Sequence, residues 1–143
     1  MAHRLSTSQL EHDTVVRASA NTYTELQKKG YKVSVNPGSE KNQFVGSELN
    51  PCYPDVVVWL PNAIGSTNGR AEVIEEIETA DSVTDKEAVQ WKDYGSRGVT
   101  FRLVVPKGYE TGTIRIINRN SVTVSELWYY YREYSQIKFG KYQ

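Results

Sequence analysis

Three carboxylates in the middle of the chain have the types and spacing of a metal-binding cluster. Asp55 stands directly before the run 56–59, and Glu76 and Glu78 lie near the end of a second run that begins at Ala71. Side chains alternate along a strand, so Glu76 and Glu78 share one face. Like charges this close are destabilising unless something neutralises them, and a divalent cation with its preference for oxygen ligands commonly does so. We therefore expect a divalent metal ion at these carboxylates.

The elements that position these residues are predicted to be two strands joined by a loop. Residues 56–59 are β-branched or aromatic, which is typical of a strand. A cluster of Pro, Asn, Gly and Ser residues from Pro61 to Gly69 predicts the connection. The second strand is expected from Ala71 to Thr79, although its four glutamates are unusual for a strand.

Pro54-Asp55, a β-turn-β connection and Glu76-Ile77-Glu78 together resemble the active-site signature of the PD-(D/E)XK nuclease superfamily. In that family an Asp opens one strand and an acidic-x-Lys triplet lies on the next. Here Glu78 stands in place of the Lys, as it does in some restriction endonucleases. The resemblance implies that Asp55, Glu76 and the main-chain carbonyl of Ile77 bind Mg²⁺ or Mn²⁺, and that Glu78 binds the metal or orients the attacking water. It also implies hydrolysis of phosphodiester bonds, with DNA as the expected substrate.

A predicted helix after these strands adds further candidate residues. A capping-box pattern at Thr84 starts a helix that runs to about Tyr94, and Lys86, Gln90 and Tyr94 lie on one face of it. Gln90-x-x-x-Tyr94 resembles an element of exonuclease-like branches of the same superfamily, which implies that Gln90 positions the scissile phosphate. Lys86 or Lys92 would then supply the ammonium group that is missing at position 78.

The first helix is also expected, from the family resemblance, to contribute an acidic residue. Glu11 is the first candidate and Glu25 the second. A structural interpretation of the same residues stays open, since glutamates on helices are mostly solvated. In that interpretation the later helix packs Trp91 on the sheet and leaves Gln90 exposed.

Length, composition and charge limit the class of protein that this chain can be. The 143 residues suit one domain, residues 1–143, and no apolar run is long enough to cross a bilayer, so we expect no membrane partner. The lone Cys52 excludes an internal disulfide framework and fits a cytoplasmic protein. Residues 1–85 hold 7 Lys/Arg and 12 Asp/Glu, whereas residues 86–143 hold 10 and 5. The basic part fits a phosphate backbone, and ordinary surface variation explains the split equally well.

The order of predicted elements is α-β-β-β-α-β-α-β, an α/β chain with a mixed central sheet flanked by helices. The resemblance implies that this is a restriction endonuclease-like core. Period and turn signals place the elements at about residues 8–29, 31–35, 53–59, 71–79, 84–94, 99–106 and 121–128. Residues 109–118 fit a short helix or a strand equally well, and the family resemblance implies the helix. The tail from Tyr129 to Tyr142 interleaves aromatic and basic residues, which suits contact with nucleic acid or an apolar docking or dimer surface.

Three functional hypotheses follow. The first is a Mg²⁺- or Mn²⁺-dependent nuclease whose partner is nucleic acid, with DNA expected and a homodimer in keeping with the family. The second is a catalytically degenerate module on the same fold that binds nucleic acid or a protein. The third is an unrelated α/β interaction protein whose glutamate-rich strand is a solvated edge that resists aggregation.

Overall fold

The computed structural model describes residues 6–36, 45–46, 51–61 and 70–143. It shows a mixed α/β architecture in which one six-stranded sheet is covered by helices on both faces. The helices and strands in chain order are α1 (Ser6–Asn21), α2 (Thr24–Lys28), β1 (Lys32–Val35), β2 (Val56–Trp59), β3 (Ala71–Ile77), α3 (Asp85–Gly95), β4 (Thr100–Pro106), α4 (Glu110–Arg119), β5 (Glu126–Glu133) and β6 (Gln136–Lys141).

The six strands are ordered in space as they are in sequence. Strands β1, β2 and β3 form an antiparallel meander, and α3 and α4 then connect β3, β4 and β5 in parallel. An antiparallel β6 completes the far edge. Because β2 runs against β3, the start of β2 lies beside the end of β3. The carboxyl ends of β3, β4 and β5 therefore share one end of the sheet with Asp55, and we call this the carboxyl end.

Alternation along the strands divides the apolar residues between two layers. Val73 and Ile77 face α1, where Val15 and Val16 are fully buried. Ile74 faces the opposite layer, which contains the fully buried Trp91 of α3. Burying a side chain of this size contributes about 2 kcal/mol or more, so both layers hold the helices firmly on the sheet.

The predicted order of elements is confirmed for the mixed sheet and its three main helices, but several boundaries were wrong and one strand was not predicted. The first helix ends at Asn21, and α2 follows as a separate short helix. The last predicted strand, residues 121–128, begins only at Glu126 and continues to Glu133. The tail then turns at residues 134–135, both with positive φ, and returns as β6. Within the described residues, none of the helices has the length and apolar composition that crossing a bilayer requires.

Candidate functional site

Asp55 and Glu76 meet at the carboxyl end of the sheet. Pairing of Val56 with Glu75 sets this register, because it places the residue before β2 beside Glu76. The main-chain nitrogen of Asp55 lies 3.4 Å from Oε1 of Glu76. Both side chains are buried, with 7% and 6% of their residue surface exposed. Asp55 and Glu76 are therefore neighbours at this end of the sheet, and both are shielded from bulk water.

Asp55 is fixed by donors on both sides. Its Oδ2 accepts a hydrogen bond from the main-chain nitrogen of Ile77 at 2.8 Å and lies 3.0 Å from Nε2 of His12. Burial alone would raise the pKa of this carboxyl, but His12, Glu76 and the Ile77 amide lower it, and the net pKa is below the usual value. Asp55 is thus ionised and oriented in the folded state.

The contact of His12 with Asp55 is the feature of the site that sequence reasoning missed. It lies on α1 with 1% of its surface exposed, and its Nδ1 is 3.1 Å from Oδ1 of Asp13. The ring therefore bridges Asp13 and Asp55. The sequence offered no signal for this contact, because nothing local pairs position 12 with position 55.

Gln90 of α3 links Glu76 of β3 to Tyr94, one turn further along α3. With the amide oriented to suit both neighbours, its nitrogen donates to Glu76 Oε2 at 2.7 Å and its oxygen accepts from the Tyr94 hydroxyl at 2.9 Å. Burial, followed by the charges of Glu76 and Asp55, raises the pKa of Tyr94. The phenol consequently stays protonated and serves as a hydrogen-bond donor. The predicted helix face thus brings Gln90 and Tyr94 to the carboxylates.

Glu78 accepts its hydrogen bonds from other residues. Its charge contributes to the raised pKa of Tyr94, so it lies near the same cluster. It is fully buried, and its two oxygens accept hydrogen bonds of 2.6 Å from Ser82 Oγ and Trp91 Nε1. A carboxylate that satisfies a buried indole N–H contributes to folding, and we do not carry Glu78 into the proposed metal site. Its predicted role as a metal ligand stays a prediction.

The two candidate lysines lie on α3, and both are exposed. Lys86 precedes Gln90 by one helical turn and therefore projects from the same side of the helix. Lys92 follows Gln90 by two residues and projects from the other side. Of the two lysines, only Lys86 is placed on the side of the carboxylates.

Glu11 and Glu25 are placed away from Asp55. Glu11 Oε2 accepts a hydrogen bond from the Tyr130 hydroxyl of β5 at 2.7 Å. Glu25 is largely exposed and pairs with Lys28 at 3.1 Å. Helix α1 therefore contributes His12, and not Glu11, to contact with Asp55.

A second polar cluster lies on the opposite face of the sheet, under α1. Glu75 is 1% exposed and accepts hydrogen bonds from Ser19, Tyr23 and Arg102. Burial raises the pKa of Glu75, although these partners oppose the shift. These residues line a cavity of about 270 Å³ that Trp128 and Phe139 complete. Arg102 balances the charge of the Glu75 carboxylate at 3.2 Å, and both residues lie on the face of the sheet opposite Glu76, so this cluster has a structural role.

The carboxylate oxygens of Asp55 and Glu76 fit a small divalent cation in chemistry and number. Mg²⁺ binds through one or two carboxylates and keeps several of its waters, so a pair of buried carboxylates is sufficient. In the part of the chain that the structure describes, no group of three or more His, Cys, Asp or Glu side chains is arranged to hold a metal ion. The fit is therefore to a two-carboxylate site, with the Ile77 carbonyl as the predicted further ligand.

No family model matches this chain, and comparisons with curated proteins and with solved structures gave no significant match. Function is therefore argued from the geometry of Asp55, Glu76 and Gln90.

Proposed function

We propose that this chain is a Mg²⁺- or Mn²⁺-dependent phosphodiesterase that cleaves DNA. The observation that carries the proposal is the burial of Asp55 and Glu76 side by side, where the main-chain nitrogen of Asp55 lies 3.4 Å from Oε1 of Glu76 and the Gln90 amide lies 2.7 Å from Oε2. Two buried carboxylates and an amide, brought together by three separate elements, form a polar constellation of the kind that fits an active site. The resemblance of the same residues to the PD-(D/E)XK signature supports this reading.

Asp55 and Glu76 would hold the ion. Bound Mg²⁺ or Mn²⁺ supplies two effects to phosphoryl transfer: it lowers the pKa of water and offsets charge on the phosphoryl oxygens. The protein contributes orientation. The Ile77 amide and His12 fix Asp55, while Gln90 fixes Glu76 and is itself fixed by Tyr94. Rigid placement of this kind reduces the entropy lost on the way to the transition state.

Lys86 would provide the positive charge that the signature Lys supplies in the family. It is exposed, and it lies one turn from Gln90 on the same side of α3. An ammonium group there would attract the phosphate backbone and orient the scissile phosphate by charge, as lysines commonly do.

A cleavage panel tests the proposal. Plasmid, linear duplex, single-stranded and branched DNA are incubated with the protein and Mg²⁺ or Mn²⁺. Wild type is expected to cleave at least one substrate. Asp55→Asn and Glu76→Gln, which keep side-chain size, are expected to lose cleavage by about 100-fold or more while retaining the fold. Glu72→Gln, at an exposed position near the start of β3, is the matched control and should cleave as wild type does. Equal cleavage by all four proteins would refute the proposal.

A second candidate function is a non-catalytic module on this fold that binds nucleic acid or a protein. The contact of His12 with Asp55 favours it, because a histidine at 3.0 Å satisfies the carboxylate without a metal ion. Thermal stability in a Mn²⁺ titration separates the two functions, since a ligand that binds only the folded state raises the melting temperature. No shift and no cleavage would support the second function.

A further inference from the structure

One face of the β5–β6 hairpin combines aromatic and basic side chains. Residues paired across antiparallel strands share a face, and here Tyr129 pairs with Gly140 and Tyr131 with Lys138. Lys107, just after β4, lies over both tyrosine rings. We call Lys107, Tyr129, Tyr131 and Lys138 the hairpin face.

The two tyrosine rings of the hairpin face form an ordered stack. Their centroids are 6.1 Å apart and their planes differ by 27°. The stack depends on Gly140, because a Cβ atom at that position would lie 2.3 Å from Cζ of Tyr129. The glycine therefore lets the Tyr129 ring lie across β6. The result is a pre-formed aromatic platform whose two rings keep part of their surface in solvent.

Positive charge is placed beside this platform. Nζ of Lys107 lies 4.7 Å from the ring centroid of Tyr131 and 6.0 Å from that of Tyr129. Lys138 is exposed directly across from Tyr131. Glu133, at the tip of β5, is the one acidic residue on this face of the two strands. Lys107 and Lys138 therefore flank the two aromatic rings, and this combination suits an anionic ligand that carries flat apolar groups.

The hairpin face lies on the same side of the sheet as the candidate site. Glu76 pairs with Leu103, and Leu103 pairs with Leu127, so these three residues share one face of the sheet. Tyr129 and Tyr131 follow Leu127 at alternate positions and extend that face toward the carboxyl end. Strand β5 is two strands from β3, a separation of about 10 Å across the sheet. An extended strand of nucleic acid would span this separation easily.

We infer that the hairpin face binds single-stranded nucleic acid, with bases on Tyr129 and Tyr131 and phosphates at Lys107 and Lys138. Unpaired bases present the π-faces that stack on aromatic rings, whereas paired bases in a duplex do not. A dimer contact is less suited to this surface, since lysine is depleted in the core of protein interfaces. Binding at the hairpin face does not depend on catalysis. The inference that this binding captures the substrate strand rests on the proposed function.

Fluorescence anisotropy with a fluorescein-labelled oligothymidylate tests the inference. EDTA in the buffer removes divalent metal and prevents cleavage. Wild type should bind, and Tyr131→Ala should weaken binding about tenfold, because one stacked base is lost. Lys107→Ala should reduce the slope of log K against log salt by about 0.7, the value for one phosphate contact with a single strand. Gly140→Ala, which displaces the Tyr129 ring, should weaken binding as well.

Lys32→Ala is the matched control, since Lys32 is an exposed lysine on β1 at the other edge of the sheet and should leave affinity and slope unchanged. Circular dichroism melts confirm that each variant is folded. Failure of wild type to bind, or wild-type affinity in Tyr131→Ala, Lys107→Ala and Gly140→Ala, would overturn the inference. A wild-type dimer that Tyr131→Ala converts to a monomer with unchanged binding would also overturn it. Binding is measured in EDTA, where cleavage cannot occur, so a failed cleavage assay and a failed binding assay remain separate results.

Discussion

The indole nitrogen of Trp91 donates a 2.6 Å hydrogen bond to Oε2 of Glu78, and both side chains are fully buried. This contact joins α3 to the end of β3. Ser82 donates to the other oxygen of the carboxylate, also at 2.6 Å. Glu78 therefore fixes helix α3 on the sheet, and this helix places Gln90 against Glu76. The role of Glu78 differs from that of Glu76, which belongs to the proposed metal site.

Glu78→Ala should destabilise the fold. The substitution leaves the buried N–H of Trp91 without an acceptor and opens a cavity, which together cost about 2–4 kcal/mol in the free energy of unfolding. Urea denaturation followed by tryptophan fluorescence measures the change. Glu72→Ala, at an exposed position near the start of β3, should alter the free energy of unfolding by less than about 0.5 kcal/mol. Wild-type stability with loss of cleavage in Glu78→Ala would instead assign Glu78 to the reaction.

Lys86→Ala should reduce cleavage more than Lys92→Ala does. Lys86 shares a side of α3 with Gln90, and loss of a positioned charge at a scissile phosphate costs about 10- to 100-fold in rate. Single-turnover rates with saturating enzyme separate this effect from weaker binding. Lys92 lies on another side of the helix, so its removal should leave the rate within about twofold of wild type. The reverse order of effects would show that Lys92 supplies the ammonium group.

Glu126→Gln should lower stability at neutral pH but not in acid. Burial alone would raise the pKa of Glu126, but hydrogen bonds from Trp128 and Arg102 lower it below its usual value. A carboxylate with a depressed pKa stabilises the folded state above its unfolded pKa of about 4.3, and that stabilisation is lost as pH falls through the folded pKa.

The difference between wild type and Glu126→Gln should therefore be about 1 kcal/mol in the free energy of unfolding at pH 7 and close to zero near the folded pKa and below. Guanidinium denaturation across an acid pH series measures it. Glu133→Gln, on the exposed tip of the same strand, is the control. An equal difference at neutral and acid pH would mean that packing, and not charge, explains the effect of Glu126→Gln.

Local sequence pattern predicted most of the fold, because strand propensity and helix capping act over a few neighbouring residues. The β-branched run 56–59 and the apolar run at 100–105 form strands, and the Thr84 cap begins α3. The end of the chain was harder. Val122 and Val124 alternate like a strand, yet they pack beside the core before β5 begins. Tyr134 and Ser135 form the turn into β6, and neither is the Asn or Gly that usually marks such a turn.

The candidate site was predictable where a helical turn or the pairing of two successive strands brings its parts together. Helical spacing predicts the Gln90–Tyr94 pair, and the expectation that two strands joined by a loop lie side by side predicts the Asp55–Glu76 pair. The contact of His12 with Asp55 joins residues 43 positions apart, and that of Arg102 with Glu75 joins residues 27 apart. These contacts depend on how α1 and β4 pack on the sheet, which no local pattern specifies.

Direct binding of Mn²⁺ is the measurement that tests the central claim most directly. Electron paramagnetic resonance follows the signal of free Mn²⁺ as protein is added. Wild type should bind one or two ions per chain, while Asp55→Asn and Glu76→Gln should leave the signal of free Mn²⁺ largely intact and Glu72→Gln should behave as wild type. Binding that is equally strong in wild type and in both site variants, or no binding by wild type, would contradict a metal site at Asp55 and Glu76.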